Sequence, residues 1–310
     1  RRAASTGGAR SQRPVLKPVR SRPRSENKGA RTTPWRSSEK LGPPPGTFYV
    51  IAGVVAVFVM LGLVMVLSGT VFADDNGHLE GYVPAVAHVE GKFGSFWTSD
   101  LWIYHQGATV IHLWLNKPGQ DNTDGESVVV DLDEPVVYFP DVVATVFGTE
   151  GSGSVHYIAD GPVTLTSRTW PPGEAGGSYG LTVPGRPVGS ASFAGSGQAG
   201  TSRVVVNQRS GFRANFGVVN VSPVPVEVLV EIFTADGEPA PGDSSFTVNL
   251  EAFDTTQVND ILKRLPAGQR DGLIIRAGVT SGEGAILSYL TNVDNTTNDS
   301  TYQAGFRFAF

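Results

Sequence analysis

Histidine is the side chain with the widest choice of chemistry in this sequence, because the chain has no cysteine and so offers no thiolate nucleophile or Cys-based metal site. The five histidines are His78, His88, His105, His112 and His156. A similar stretch later in the chain, described below, carries Asn220, Val230 and Ile275 at the positions of the last three. A site shared by two related stretches would need its ligands in both. The sequence therefore predicts neither a catalytic nor a metal-binding histidine.

Motifs for other kinds of catalysis are missing from the sequence. It contains no Gly-x-Ser-x-Gly elbow, no His-Glu-x-x-His pair and no phosphate-binding P-loop. Residues 195–200 fit the spacing Gly-x-Gly-x-x-Gly, but they lie in a Gly/Ser-rich stretch, whereas a dinucleotide site needs a strand before the motif and a helix after it. We therefore expect no catalytic residue and no cofactor, and predict that the protein is not an enzyme.

Two loops rich in oxygen-bearing side chains, residues 121–126 and 294–299, could hold Ca²⁺. The first lacks the regular ligand spacing and the distal Glu of a calcium-binding loop. Asp and Asn also close tight turns by hydrogen bonding to their own backbone. Turns are the favoured interpretation of both loops, and no metal site is predicted.

Charge is divided unevenly along the chain. Residues 1–47 carry 12 Lys or Arg against two Glu, a net charge of +10, whereas residues 48–310 carry 12 basic and 27 acidic side chains, a net charge of −15. The basic part is rich in Arg, Ser, Pro and Gly and poor in aliphatic residues, so we expect a disordered tail. The acidic remainder argues against binding of nucleic acid by that part of the protein.

An apolar segment separates these two parts. Residues 50–72 contain no charged side chain, and as a helix these 23 residues would be roughly 35 Å long, enough to cross a ~30 Å hydrocarbon layer. The positive-inside rule then predicts a single-pass protein with a cytoplasmic N-terminus and extracytoplasmic C-terminal domains. We assign residues 48–73 to a transmembrane signal anchor and 74–81 to a spacer. The alternative is a leader peptide that is cleaved near Ala73, so that the remainder is secreted.

The part of the chain after the spacer is similar to itself. Residues 97–105 align with residues 212–220 at an offset of 115. Residues 108–143 align without a gap with residues 226–261 at an offset of 118. Offsets that grow slowly, through insertions in turn-like stretches, are expected of a duplicated domain.

Each copy has the pattern of a strand-rich domain. Short runs of β-branched and aromatic residues alternate with turn sequences such as Lys-Pro-Gly and Ala-Asp-Gly. One short helix per copy is expected, at residues 141–147 and 259–265, with Asp or Asn capping its first turn. The predicted fold class is all-β: two tandem homologous β-sandwich domains, immunoglobulin-like, at residues 82–188 and 203–310, joined by a Gly/Ser-rich linker at 189–202. A barrel is the alternative architecture, and part of the linker can pair as an edge strand.

Three stretches carry a resemblance to known modules. They are Tyr-Val-Pro-Ala-Val-Ala-His-Val at 82–89, Trp-Thr-Ser-Asp-Leu-Trp-Ile-Tyr at 97–104 and Asn-Val-Asp-Asn-Thr-Thr-Asn-Asp at 292–299. This pattern resembles uncharacterised tandem modules of bacterial secreted and cell-surface proteins, over about residues 82–304. The resemblance implies export and β architecture, and it carries over no functional residue.

Trp102 and Tyr104 are the candidate ligand-binding residues. Successive side chains of a strand point to opposite faces. Leu101 and Ile103 align with apolar residues of the second copy and are therefore expected in the core, so Trp102 and Tyr104 should point outward. An outward aromatic pair indicates a ligand or partner surface. The alternative is that the other domain or an N-terminal segment covers the pair.

The same reasoning applied to the next strand places Val110, His112 and Trp114 in the core, because the aligned positions of the second copy are apolar.

The predicted function follows from the absence of a catalytic constellation and from the predicted export. We expect a non-enzymatic scaffold or adhesion-type interaction protein, membrane-anchored or secreted, whose partner is an unidentified protein or glycan outside the cytoplasm. The alternative is a carbohydrate-binding module that uses the outward aromatic residues of domain 1.

Overall fold

The computed structural model describes residues 79–171, 179–194, 201–206, 211–268, 270 and 272–307. The basic tail, the apolar segment and most of the spacer lie outside these residues, and with them the predicted anchor. Within the described residues, no helix is long and apolar enough to cross a membrane. The described residues all fall within one compact unit of the chain.

Strands account for almost all of the regular structure in these residues. The first group consists of β1 (Leu79–Glu90), β2 (Phe96–His105), β3 (Val110–Asn116), β4 (Val128–Asp131), β5 (Val136–Phe139), β6 (Gly151–Ala159), β7 (Val163–Trp170), β8 (Leu181–Pro184) and β9 (Arg186–Pro187). After β10 (Ser192–Phe193), the second group consists of β11 (Thr201–Val206), β12 (Phe212–Asn220), β13 (Val226–Phe233), β14 (Ser245–Leu250), β15 (Thr255–Val258), β16 (Leu273–Ser281), β17 (Ala285–Asp294), β18 (Ser300–Ala304) and β19 (Phe306–Arg307). Within the described residues, helical structure is limited to α1 (Val142–Thr145) and to short 3₁₀ turns at Lys92–Gly94, Val188–Ser190 and Ile261–Arg264. The prediction of an all-β fold is confirmed.

The pairing order of the first group recurs in the second. Strands β1–β9, here called the first half, form one sheet that contains the rows β4-β3-β6-β1-β9 and β5-β2-β7-β8. Strands β11–β19, the second half, form the rows β14-β13-β16-β11-β19 and β15-β12-β17-β18 as two separate sheets. Strand β10, from the predicted linker, adds to the edge of β17. All of these pairs are antiparallel.

Strand β1 joins the two rows of the first half into one sheet. It pairs with β6 along most of its length, and its last residues, His88–Glu90, pair with β2. The register with β6 shifts between Val83 and Val86, where a β-bulge bends the strand. Pro84 lies at this shift, and the position suits proline because proline has no N–H to give to a ladder.

An apolar core lies between the two rows of each half. In the first half, the large side chains that are fully buried in this core are Leu101, Ile103, Ile111, Leu113 and Leu165. In the second half, they are Phe216, Ile232, Leu250, Ile261, Leu262 and Ile275. Burial of each such side chain is worth roughly 1.5–3 kcal/mol relative to exposure. Paired layers around a shared core are consistent with a β-sandwich in each half.

The short helical turns begin in the same way in both halves, but not in the predicted way. Asp141 and Asp260 precede them with left-handed backbone (φ 45° and 52°), and neither side chain caps the turn. Instead, each donates its backbone N–H to a side chain of the neighbouring strand. The N–H of Asp141 bonds Oδ1 of Asp100, and that of Asp260 bonds Oδ1 of Asn215, both at 3.0 Å.

The predicted orientation of β3 is wrong. Ile111 and Leu113 are fully buried, whereas Val110, His112 and Trp114 are half-buried on the opposite face. The cause is a one-residue error in the alignment at this strand. Leu113 faces Tyr157 of β6, and Val230, which lies 117 residues after Leu113, faces Ala277 in the equivalent pair. At the predicted offset of 118, every side chain of β3 is assigned to the wrong face.

The neighbours of the strands also differ from the immunoglobulin-like expectation. In an immunoglobulin constant domain, the sixth strand lies beside the seventh, in the sheet opposite to the first and second strands. Here β6 pairs with β1 and β7 pairs with β2, and the same exchange is found in the second half. Periodicity determines which face of a strand is buried, but it carries no information on which strands become neighbours.

Candidate functional site

The outward side of the row β5-β2-β7-β8 carries several aromatic side chains, and we call it the aromatic face. Trp102 lies between Tyr138 and Thr166, and Tyr104 lies in the next rung of the sheet between Val136 and Thr164. Leu101 and Ile103 on the opposite side are fully buried, so the predicted orientation of β2 is confirmed. Binding of a ligand by Trp102 and Tyr104 stays a prediction.

Three aromatic rings dominate this face. Trp102 and Tyr138 stack with ring centroids 4.9 Å apart and an interplanar angle of 28°. Tyr104 is 44% exposed and Tyr138 is 48% exposed. The hydroxyl of Tyr104 accepts a hydrogen bond of 2.6 Å from Nε2 of Gln106. The sequence reasoning missed Tyr138, although the alternation of β5, in which Val137 and Phe139 pack against the core, would have placed it outward.

Polar groups border the aromatic face at one end. Asp100 is 7% exposed, and its Oδ2 accepts a hydrogen bond of 3.1 Å from the indole N–H of Trp170. The guanidinium of Arg168 lies 5.6 Å from the centre of the Trp170 ring. The pKa of Tyr138 is raised by partial desolvation and, to a smaller extent, by the nearby carboxylate of Asp100. These contacts hold the ring of Trp170 in place, while Tyr138 stays 48% exposed.

The corresponding face of the second half is covered by the first half. It lies on the row β15-β12-β17-β18. An apolar cluster joins the two halves there, formed by the buried residues Tyr82, Ala191, Val219, Val221, Leu287 and Tyr289. Gly217, which aligns with Trp102, lies under the ring of Tyr289, and a Cβ at this position would collide with that ring. The second half therefore replaces the outward tryptophan with a surface that packs.

The first half meets this surface with a stack of rings. His156 lies between Tyr82 and Trp114, with ring centroids 4.5 and 5.0 Å away. The ring of Phe253 from the second half stacks on His156 at 5.6 Å. The Nε2 atom of His156 is 2.8 Å from a carboxylate oxygen of Glu80. His156 is thus a packing residue of the contact between the halves.

Hydrogen bonds add to this contact. The N–H of Gly119 donates to Oδ1 of Asp254 at 2.7 Å, and the N–H of Asn122 donates to the carbonyl of Ala252 at 3.0 Å. A guanidinium N–H of Arg186 donates to the carbonyl of Gly305 at 3.2 Å. Asp254 is 3% exposed, and burial raises the pKa of its carboxyl.

A cleft of about 520 Å³ remains open between the halves beside the apolar cluster. Its walls include Glu90, Lys92 and Trp97 from the first half, and Arg213, Asn215 and Gln257 from the second. The amide of Asn215 is already engaged, because its Nδ2 donates to Thr291 and its Oδ1 accepts the N–H of Asp260. Burial lowers the pKa of Arg213, and the nearby carboxylate of Asp260 partly offsets this effect.

The remaining sequence candidates for chemistry do not converge. His88 binds Asp141 at 2.6 Å, and Nε2 of His105 bonds the carbonyl of Glu134 at 2.8 Å. Among the described residues, no group of three or more His, Cys, Asp or Glu side chains could hold a metal ion. Asp121 accepts hydrogen bonds from the hydroxyl and the N–H of Thr123, and Asp294 accepts one from the N–H of Thr296. These bonds, typical of Asx turns, lower the pKa of each carboxyl.

No protein family model matches this chain. No curated protein has a significantly similar sequence.

Proposed function

We propose that this protein is a non-enzymatic, exported interaction protein built from two tandem homologous β-sandwich domains. The order of strand pairing, which recurs in the two halves, supports the duplication. The proposed domains are residues 82–188 and 203–310. Equivalent pairs also recur, since Leu101 faces Ser167 and the aligned Phe216 faces Leu290.

We further propose that residues 48–73 anchor the protein in a membrane, with the basic tail in the cytoplasm and the domains outside. The support is the charge difference across an uncharged 23-residue apolar run. Reporter fusions at both ends of the full chain test this topology, and a C-terminal reporter that is active in the cytoplasm would contradict it. N-terminal sequencing of the mature protein distinguishes an anchor from a leader peptide cleaved near Ala73.

The aromatic face is the observation that carries the proposal of an interaction protein. Trp102, Tyr104 and Tyr138 share this face, on which Trp102 is half-buried and the two tyrosines are exposed, while the equivalent face of the second half is covered. Aromatic side chains with one apolar side and a polar end are enriched at binding surfaces. Binding to cell-envelope material by the full chain and by Trp102→Ala measures this role. Equal binding by both would contradict it.

A carbohydrate is the second candidate ligand. The observation that favours it is the row of hydroxyl groups beside the rings, where Thr164 and Thr166 of β7 flank Tyr104 and Trp102. A sugar ring stacks on an aromatic side chain and hydrogen bonds neighbouring hydroxyls. Binding of a labelled glycan panel to the full chain, with Tyr138→Ala as the matched variant, tests this candidate. If no glycan binds the full chain and loses its binding in the Tyr138→Ala variant, this candidate is excluded.

A further inference from the structure

We propose that the aromatic face binds a second copy of this chain, through the outward side of the row β14-β13-β16-β11-β19. We call this side the arginine face and define it by Arg203, Val205, Leu229, Ile274 and Arg276. The inference rests on the proposed function and names the partner of the same surface.

The contact between the two halves of one chain is the first argument. There, the outward side of β15-β12-β17-β18 packs against the outward side of β3-β6-β1-β9, which supplies Tyr82 and His156. The aromatic face is the counterpart of the first of these surfaces, and the arginine face is the counterpart of the second. One copy of each surface is therefore covered within the chain, and one copy of each is open.

Strand registers identify the residues that would meet. Val83 faces Val155, and Val204 faces Ile275 in the equivalent pair. The neighbouring residues Tyr82 and His156 therefore correspond to Arg203 and Arg276.

On the other side of the contact, Phe253 lies in the loop between β14 and β15, and its counterpart is the loop with Asp133 and Glu134 between β4 and β5. Where His156 stacks on Phe253 within the chain, Arg276 of one molecule would approach Glu134 of the next. Both acidic side chains are exposed.

Arg276 is placed to meet the acidic loop, and Glu227 and Glu231 share the arginine face with it. The guanidinium of Arg276 is held by Glu231 at 2.6 and 3.0 Å and lies 4.6 Å from the Phe233 ring, which fixes its position. An arginine has five N–H donors, so this arrangement leaves donors for a second carboxylate. Val205, which is 54% exposed, supplies apolar surface for the rings of Trp102 and Tyr138.

This contact would be heterologous, because it joins different surfaces of identical chains. Each molecule would keep one open aromatic face and one open arginine face after binding a neighbour. A heterologous contact that does not close into a ring generates an open chain of molecules. The expected assembly is a head-to-tail row of copies.

Cross-linking tests the geometry in the full chain, purified in detergent. The sequence has no cysteine, so Glu134→Cys and Arg276→Cys each provide a single thiol. A short thiol-specific cross-linker should join the two variants when they are mixed, and the double variant should give a ladder of oligomers. Thr296→Cys, in an exposed turn away from both faces, replaces Arg276→Cys as the control and should give no product with Glu134→Cys. Products that form only between identical Glu134→Cys chains would overturn the head-to-tail contact.

Sedimentation of the cysteine-free chain provides the second measurement. Trp102→Ala should weaken self-association at least about tenfold, whereas Tyr179→Ala, an exposed aromatic residue outside the face, should change it less than about twofold. Circular dichroism melting checks that both variants fold. A chain that stays monomeric, or that associates equally with and without Trp102, overturns the inference. If that monomer still binds a glycan or envelope protein through Trp102, the proposed function stands; loss of every Trp102-dependent interaction overturns both.

Discussion

Gly217 and Trp102 occupy aligned positions of β12 and β2, and their side chains determine what each half does with the same face. The ring of Trp102 projects outward and stacks on Tyr138. Gly217 has no side chain, which leaves space for the ring of Tyr289. The contact between the halves therefore requires a residue without a side chain at Gly217. Nothing in the sequence around Gly217 marks this role, since glycine in a strand is more often read as a bulge.

Gly217→Ala is expected to destabilise the protein. Its Cβ would collide with the Tyr289 ring, and overpacking in a filled contact costs about 1–3 kcal/mol in the free energy of unfolding. Chemical denaturation measures this cost. The same substitution should cost less in a Tyr289→Ala background, because the colliding ring is gone. Equal costs in the two backgrounds would contradict this explanation.

Tyr157 gives the protein a predictable response to alkali. Burial raises the pKa of its hydroxyl to about 12 from an ordinary value of 10.0. The hydroxyl therefore ionises earlier in the unfolded chain, and its stabilising contribution is present below pH 10 and is lost as the pH rises from about 10 through about 12. Tyr157→Phe should flatten the pH dependence of the free energy of unfolding in this window. An unchanged slope would show that other tyrosines determine it.

Two substitutions in strand β2 test which of its side chains point into the core. Leu101→Ala opens the first core and should cost about 2–5 kcal/mol in the free energy of unfolding. Trp102→Ala removes a larger side chain, but only the stack with Tyr138 is lost, so no more than about 1.5 kcal/mol is expected. Urea denaturation of the two variants measures the contrast. A Trp102→Ala variant that is the less stable of the two would mean that its face is buried.

Asp254, in the loop between β14 and β15, is expected to stabilise the contact between the halves through its carboxyl group. Asp254→Ala leaves the N–H of Gly119 and the buried N–H of Thr255 without their acceptor, at a cost of about 1–3 kcal/mol. Asp254→Asn keeps an acceptor oxygen and should cost much less, because burial already raises the pKa of Asp254 and disfavours its charged form. Hydrogen exchange at the Gly119 amide should speed up only in the alanine variant. Equal protection in both variants would exclude the bond as the cause.

Comparison of the strands shows what the sequence could predict. Alternation and turn residues located the strands, and the facing of β2 was correct because Leu101 and Ile103 align with core residues of β12 without an error. At β3, apolar and aromatic residues occupy both faces, so the pattern could not detect a slip of one residue. Which strands become neighbours, and which face of the second half is covered by the first half, depend on contacts between distant segments. Local periodicity carries no information on such contacts.

At the scale of the whole molecule, the contact between the halves should make the described part unfold as one unit. Leu287 lies in the apolar cluster that joins the halves and is 2% exposed. Leu287→Asp places a charge there and should divide the thermal transition into two. Calorimetry of the full chain measures the number of transitions. Val224→Asp, at an exposed loop position, is the matched control and should leave one transition. Two transitions in the unchanged protein would contradict this expectation.

The place of β1 within its sheet determines how the protein would respond to a pulling force. Whatever precedes Leu79 pulls on a strand that is hydrogen bonded to β6 on one side and to β9 and then β2 on the other. Such a pull acts parallel to the strand, and many hydrogen bonds must break together. At the other end, β19 is held to β11 by two paired positions only. Under tension between its two ends, the described part should therefore peel from β19 inward, while the aromatic face beside β1 keeps its shape.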